Sequence, residues 1–221
     1  MRPMVDAIRR IFAATAAAQQ RFASQHAEAL ARVIDVTVDA LAKGRTLFFF
    51  GNGGSAADAQ HLAAEFVNRY QLARAPLPAL ALTTDSSALT SIANDFGYDE
   101  IFAKQIQALA HRGDVAFALS TSGNAANVLR AVEECRTRGV ITVGLTGGTG
   151  GTLAELVDHL LSVDTTRVTA RIQETHIVIG HVMCELVEAR LAGVRESGAA
   201  GHSARRPAAT GRATSKRRRR P

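Results

Sequence analysis

Two short loops rich in glycine and hydroxyl side chains have the composition of anion-binding loops. The first reads Gly51-Asn52-Gly53-Gly54-Ser55 and the second Ser120-Thr121-Ser122-Gly123-Asn124. Glycines let the backbone approach a ligand closely, and hydroxyls beside the free N–H groups of a helix N-terminus can hold a phosphate. Capping a helix needs only one hydroxyl, so we interpret the second loop as a monophosphate site. The first loop fits a simple tight turn equally well.

Two further groups of side chains could carry acid-base or metal chemistry. His61 and Glu65 share a helix face, and their spacing leaves open a metal site, an acid-base pair or a solvated intrahelical contact. In the last helix, Gln173 lies about 60° around the axis from His176 and about 80° from His181. The two histidines diverge by about 140°, so they cannot easily serve one site together. Spacing does not choose between them, and for either one a packed or surface histidine is the default.

Buried strands that alternate with helices must position these residues. Short apolar runs predict strands at residues 46–50, 80–83, 115–119, 141–145 and 160–163. Helical periodicity predicts two N-terminal helices, about 5–16 and 23–42, and later helices at 56–70, 99–110, 124–138 and 170–191. This alternation predicts a doubly wound α/β fold with a five-stranded parallel sheet flanked by helices. Ligands bind beyond the carboxyl ends of such strands, where both loops are expected.

The charge of the chain is concentrated at its C-terminal end. The formal charge of the 221 residues is +6, but nine Lys and Arg follow residue 193 against the single Glu196. The preceding part has 17 basic and 19 acidic residues, which gives no general reason to bind nucleic acid. We expect one domain over residues 1–193 and a disordered basic tail over 194–221. The tail is interpreted as a solubilising extension, with nonspecific contact to nucleic acid as the alternative.

Cysteine usage and hydropathy favour a cytoplasmic protein. Cys135 and Cys184 are the only cysteines and lie far apart, so neither a disulfide framework nor a cysteine zinc site is indicated. Charged residues interrupt the opening segment, and no later uncharged apolar run reaches the roughly 18 residues that a membrane span needs. We therefore expect no signal peptide and no contact with a membrane.

Five separated segments together resemble the SIS-domain phosphoheptose isomerases over about residues 1 to 192. They read GNGGSAADAQHLAAEF, NDFGYDEIF, LSTSGNAANV, GLTGGTGG and TARIQETHIVIGH. The resemblance implies a flavodoxin-like sheet and a homotetramer whose active sites are shared between subunits. It also implies isomerisation of sedoheptulose 7-phosphate to D-glycero-D-manno-heptose 7-phosphate without a redox cofactor.

The resemblance also assigns roles to residues at matching positions. It implies that Glu65 and His181 are catalytic, and that one Zn²⁺ per subunit is held by His61, Glu65, Gln173 and His181. The substrate contacts that it implies are Asn52, Gly53, Ser55, Glu65, Asn94, Asp95, Ser120, Thr121, Ser122, Asn124 and Gln173. Many isomerases carry a hydroxyl at the position of Ala125 and a carboxylate at that of Ala170, so some substrate contacts are expected to differ.

Three segments resemble a sister family nearly as well as they resemble the isomerases: AADAQH, SIANDFGYDE and TARIQE. Its members bind the bacterial replication initiator without isomerase chemistry and typically replace Glu65 and His181. Both residues are present here, and a carboxylate with an imidazole meets the needs of proton transfer through an enediol. The isomerase is therefore favoured, with a non-catalytic initiator-binding or sugar-phosphate-sensing protein as the alternative. On this interpretation Gln173 orients the substrate, and replacing His176 hardly changes turnover.

Overall fold

The computed structural model describes residues 1–193, which form a five-stranded sheet flanked by helices. The strands are β1 (Leu47–Gly51), β2 (Ala79–Ala81), β3 (Val115–Ser120), β4 (Ile141–Gly147) and β5 (His159–Val163). The helices are α1 (Arg2–Ala42), α2 (Gly54–Val67), α3 (Ser86–Phe96), α4 (Ala103–Leu109), α5 (Ala126–Arg138), α6 (Leu153–Leu156) and α7 (Thr169–Leu191). A 3₁₀ turn, Tyr98–Glu100, joins α3 to α4.

The sheet is parallel throughout, with strand order β2-β1-β3-β4-β5. This order is that of flavodoxin-like folds, which confirms the predicted fold class. Successive β1 side chains enter opposite cores because strand side chains alternate between faces. Phe49 packs with α1, α2 and α7, whereas Phe48 and Phe50 pack with α4 and α5. Apolar runs without alternation are expected of strands that are covered on both sides.

All five predicted strands are present, and their ends differ from the prediction by at most two residues. The helix predicted over 99–110 is instead the 3₁₀ turn followed by α4. Helices α3 and α6 were not predicted. None of the α3 residues is fully buried, so its sequence lacks the strong apolar stripe on which the prediction relied.

The prediction of two N-terminal helices was wrong, since α1 is one helix of 41 residues. The segment between the two predicted stretches, residues 17–22, is rich in Ala and Gln and contains neither Gly nor Pro, so nothing in it ends a helix. Helix α1 packs on α7, and Thr15 Oγ1 donates to Glu174 Oε2 at 2.7 Å. Its first buried residue is Ala18, and the turns before it are largely exposed.

Both cysteines are buried and unpaired, in agreement with the sequence prediction. Burial raises the pKa of Cys135 and of Cys184 to about 12, which disfavours the thiolate that metal binding requires. Within residues 1–193, no helix has both the length and the apolar character to cross a membrane. The predicted basic tail lies outside the described residues.

Candidate active site

The two predicted anion-binding loops follow adjacent strands at the carboxyl edge of the sheet. β1 ends at Gly51 and β3 at Ser120, and Gly51 pairs with Leu119 in the sheet. From β1 the chain continues outward to β2, whereas from β3 it continues to β4 and β5 on the other side. Ligands of open α/β sheets bind where the connections change direction in this way. The topology therefore places both loops at the expected ligand crevice.

The hydroxyl oxygens of the second loop accept hydrogen bonds from its own backbone. Ser120 Oγ accepts from the Gly123 N–H at 3.2 Å, and Ser122 Oγ accepts from the Asn124 N–H at 3.2 Å. Each hydroxyl keeps its own O–H to donate to a ligand, because accepting a bond uses only a lone pair. Helix α5 begins directly afterwards and has no side-chain cap at Ala125, so its first N–H groups also point to this region. The loop thus presents several donors for one anion.

A third loop, residues 148–152, holds the second loop in place. Gly123 has φ +66°, and a Cβ at this position would lie 1.8 Å from the Gly150 carbonyl oxygen. Asn124 Oδ1 accepts from the backbone N–H of Thr152 at 2.9 Å and from its hydroxyl at 3.0 Å. The side chain of Asn124, predicted to contact substrate, thus supports the loop itself.

The first loop is fixed by a reciprocal amide pair. Asn52 Nδ2 donates to Asn127 Oδ1 at 2.8 Å, and Asn127 Nδ2 donates to Asn52 Oδ1 at 2.9 Å. The Tyr98 hydroxyl donates to the same Asn52 oxygen at 3.2 Å. Ser55 is buried behind the loop, while Gly53 is exposed. Sequence reasoning missed Asn127, although a polar residue at an apolar position of α5 was a usable signal.

Asn94 and Asp95 lie at the exposed end of α3. Asn94 Nδ2 donates to Asp95 Oδ1 at 2.8 Å, so the two side chains pair with each other. Among the described hydrogen bonds, none joins them to either anion-binding loop. Their role in substrate binding stays a prediction.

His61, Glu65 and His181 meet where α2 packs on α7. His181 Nε2 lies 3.0 Å from His61 Nε2, and His61 Nε2 lies 3.4 Å from Glu65 Oε1. At 3.0 Å the two imidazole nitrogens can form a hydrogen bond only if one carries the proton and the other accepts it. The cluster is open to solvent, since 47% of the His61 side chain is exposed. It combines a carboxylate with two imidazoles, which is a set suited to moving protons.

A glycine allows the two helices to approach closely at this point. A Cβ at Gly180 would lie 2.3 Å from Leu62 Cδ2. Leu62 and Phe66 are fully buried on the inward face of α2. The neighbouring residues His61 and His181 are thereby brought to hydrogen-bonding distance at the surface of the helix pair.

Two further ionisable groups, neither of them predicted from the sequence as a site residue, border this cluster. The Tyr70 ring lies 5.7 Å from the His181 ring, between centroids. Burial raises the pKa of the Tyr70 phenol, so the phenol stays protonated at neutral pH. Asp58 lies one turn before His61 on α2, and burial raises the pKa of its carboxyl group as well. The contact of Tyr70 with His181 is revealed only by the folded chain, whereas Asp58 could have been found from its i, i+3 spacing to His61.

His176 lies apart from the cluster, as its angular separation from His181 predicts. It is fully buried, and its Nε2 lies 2.9 Å from the Thr146 carbonyl oxygen, to which it donates. Burial lowers the pKa of His176 to about 4, so the ring is neutral at physiological pH. His176 ties α7 to the end of β4. Its replacement is therefore expected to lower stability, and the expectation that it hardly affects turnover stays a prediction.

The described chain does not bring Gln173 into the histidine cluster. Its amide lies against the start of α2, where a Cβ on Gly54 would come 2.5 Å from Gln173 Nε2. Gln173 precedes His181 by eight residues of α7, about 12 Å of helix rise. The donor types of His61, Glu65 and His181 suit Zn²⁺. However, no group of three or more His, Cys, Asp or Glu side chains within residues 1–193 has a metal-binding arrangement.

Comparisons with known proteins agree with this fold and show the family of the chain. The SIS domain family matches residues 11–147. A phosphoheptose isomerase from Solidesulfovibrio magneticus is 57% identical over 173 residues, which cover 78% of this chain and 84% of that protein. A phosphoheptose isomerase from Aquifex aeolicus is 44% identical and is matched over 96% of its length, with 84% of this chain covered.

Solved structures lead to the same family. The phosphoheptose isomerase of Neisseria gonorrhoeae is 40% identical, with a TM-score of 0.79 over 84% of this chain and 99% of that one. The enzyme of Francisella tularensis is 34% identical, with a TM-score of 0.80 over 84% of this chain and 98% of that one. Sequence and structure together show that this chain belongs to the SIS-domain phosphoheptose isomerase family.

Proposed function

We propose that the protein isomerises sedoheptulose 7-phosphate to D-glycero-D-manno-heptose 7-phosphate. The observation that carries this proposal is the meeting of Glu65 and His61 with His181 where α2, which follows the first anion-binding loop, packs on α7. A family of isomerases that act on a phosphorylated heptose supplies the substrate class. Both residues that the sister initiator-binding family typically replaces are present.

The reaction needs protons to move at two carbons and two oxygens. Glu65 removes a proton from C1 of the ketose, and the C–H electrons form the C1–C2 double bond of an enediol as O2 gains a proton. The O1 proton then leaves while C1–O1 becomes the carbonyl and C2 receives a proton. His181 transfers the oxygen-bound protons.

The spacing between the loops and the cluster favours a long substrate. Glu65 follows Ser55 by ten residues of α2, about 15 Å of helix rise. An open-chain heptose 7-phosphate carries its reacting carbons, C1 and C2, at the opposite end from the phosphate. If the phosphate occupies the Ser120–Asn124 loop, the Gln173 amide, which lies beside Gly54 at the start of α2, can orient the sugar hydroxyls.

We also propose that one Zn²⁺ per subunit is held by His61, Glu65, Gln173 and His181, whose side chains would have to rearrange on binding, because within residues 1–193 no three His, Cys, Asp or Glu side chains form a metal-binding arrangement. When bound, it would polarise the substrate carbonyl as a Lewis acid. Metal analysis of the purified protein after equilibration with micromolar Zn²⁺ is expected to give about one ion per chain, and fewer in His61→Ala. Wild-type protein without bound zinc would contradict this part of the proposal.

We propose a homotetramer, supported by apolar surface that the single chain leaves uncovered. The exposed turns of α1 carry Met4, Val5, Ile8, Ile11 and Phe12. An apolar groove between α1 and α7 is lined by side chains that include Phe22, Leu30, Ile179, Val182 and Leu186. Surface of this kind marks protein interfaces. Light scattering at micromolar concentration is expected to give four times the chain mass, and a monomer would contradict the assignment.

A location in the cytoplasm completes the proposal. The two free, buried thiols fit a reducing compartment, where disulfides are rare. Fractionation of the producing cells should recover the protein with cytoplasmic markers, and recovery outside the cytoplasm would exclude this location.

Incubation with sedoheptulose 7-phosphate and no redox cofactor tests the function. We expect the manno-heptose 7-phosphate as product, and a kcat/KM at least about tenfold lower for five- and six-carbon ketose phosphates, because the shorter chains misplace the reacting carbons. Absence of product with and without Zn²⁺ would contradict the isomerase proposal. A pull-down against the replication initiator would then test the alternative.

A further inference from the structure

A buried ion pair joins the loop that follows α2 to the second half of α7. Arg74 Nε donates to Glu188 Oε1 at 2.9 Å, and only 10% of the Arg74 side chain and 2% of the Glu188 side chain are exposed. The Glu188 carboxylate also accepts from the backbone N–H groups of Tyr70 at 3.0 Å, Gln71 at 2.7 Å and Leu72 at 2.7 Å. Four donors thus occupy the roughly four acceptor positions of one carboxylate.

The remaining guanidinium N–H groups bind carbonyl oxygens in the last turn of α2 and in the loop that follows it. Arg74 Nη2 donates to the Glu65 carbonyl at 2.9 Å, and Nη1 donates to the Phe66 carbonyl at 2.9 Å and to the Ala75 carbonyl at 3.0 Å. Carbonyls in the last turn of a helix lack partners within it, so Arg74 supplies the partners that α2 itself cannot. One of them belongs to Glu65.

A gain in the stability of the fold is by itself a weak explanation for a buried ion pair. The desolvation of two buried charges commonly cancels their attraction, and an apolar pair of similar size can be as stable. Burial acts to raise the pKa of Glu188, but the bonds from Leu72, Gln71 and Tyr70 and the charge of Arg74 more than offset it, so the pKa is lowered. Glu188 is therefore ionised at neutral pH, and the pair is fully charged.

The position of the pair relates it to the histidine cluster. Glu188 follows His181 by seven residues, so both side chains lie on the same face of α7. Glu188 fixes the backbone of Tyr70, whose ring packs beside the His181 ring. Arg74 fixes the backbone of Glu65, whose carboxylate faces His61. The ion pair is therefore connected to the cluster by two hydrogen bonds, one from the Tyr70 N–H to Glu188 and one from Arg74 to the Glu65 carbonyl.

We infer that the Arg74–Glu188 pair has a positioning role: it holds Glu65 and Tyr70 at fixed positions relative to His181. The inference rests on the proposed function, because it treats Glu65 and His181 as the catalytic pair. Arg74 and Glu188 are positioning residues, and their effect on turnover passes through the backbone of α2 and of the loop that follows it.

Steady-state kinetics of Arg74→Met, Arg74→Lys and Glu188→Gln test this role. We expect kcat per folded enzyme to fall by about 10- to 100-fold in Arg74→Met and Glu188→Gln, the range found for residues that support an active site. KM should change less than about threefold, since the phosphate loops lie at the other end of α2. Arg74→Lys keeps the charge but cannot make the planar fork, so it should recover only part of the loss.

Arg138→Met is the matched control, because Arg138 pairs with Glu134 on α5, on the other face of the sheet. It should keep wild-type kcat. A purely structural role predicts that Arg74→Met lowers the melting temperature while kcat per folded enzyme stays at the wild-type value, and that result would overturn the inference.

Histidine ring signals in ¹H–¹³C NMR separate this inference from the proposed function. In Arg74→Met we expect the His61 and His181 signals to shift, while those of His111 and His159 stay in place. If wild-type protein lacks isomerase activity, the function fails but the signals still report on positioning. Unmoved His61 and His181 signals in folded Arg74→Met would overturn the positioning role.

Discussion

Glu65→Gln is expected to reduce turnover of sedoheptulose 7-phosphate by about 10²- to 10⁴-fold, the range that general acid-base catalysis contributes. Glutamine keeps the size and much of the hydrogen bonding of the side chain but cannot accept the carbon-bound proton. Glu65 Oε1 lies 3.4 Å from His61 Nε2, so the substitution also changes this contact within the cluster. His181→Gln should cause a loss of the same order. Stopped-flow or coupled assays of kcat measure both effects.

Binding and stability controls separate catalysis from folding in these variants. Both should bind the sugar phosphate with near wild-type affinity by calorimetry, since the proposed phosphate contacts lie in another loop. His176→Gln should lower the melting temperature, because it disturbs a fully buried bond to Thr146, yet keep kcat per folded enzyme. The assignment of the active face of α7 is wrong if His176→Gln abolishes turnover while His181→Gln retains it.

Ser120→Ala combined with Ser122→Ala is expected to weaken binding of the sugar phosphate by at least about 100-fold. A hydrogen bond to a charged group contributes about 1.5 to 3 kcal/mol, so two lost donors have a large combined effect. Since the contact is made before and during the reaction, KM should rise much more than kcat falls. Calorimetric titration with inorganic phosphate and with the sugar phosphate measures the loss.

Ser24→Ala provides the matched control for the double variant. Ser24 is exposed on α1, where its hydroxyl donates to the Arg21 carbonyl, and its loss should leave both affinities unchanged. Unchanged phosphate affinity in the folded Ser120→Ala, Ser122→Ala protein would show that the anion binds elsewhere at the sheet edge.

The parts of the fold that follow from local pattern could be predicted from the sequence. Unbroken apolar runs such as 115–119 require burial on both faces, and their alternation with helices leads to a parallel sheet. The glycine- and serine-rich loops lie at the switch point because strand order places them there. Helix α3 was missed because none of its residues is fully buried, and α1 was divided although nothing in the sequence ends it.

The parts of the site that depend on distant contacts could not be predicted. The i, i+4 spacing of His61 and Glu65 shows that they share a face, but only the packing of α2 on α7 shows that His181 joins them. Tyr70 reaches this cluster because Glu188 holds its backbone, a contact across 118 residues of sequence. The family resemblance supplied His181 where spacing left two histidines open.

Isomerisation of sedoheptulose 7-phosphate in D₂O, followed by NMR, tests the central claim most directly. Proton transfer through an enediol predicts an aldose product that carries solvent deuterium at C2, because the base exchanges its proton with solvent before returning it. The rate of this incorporation should fall with kcat in Glu65→Gln. A product formed at the wild-type rate without deuterium at C2, or with incorporation that does not depend on Glu65, would contradict the account.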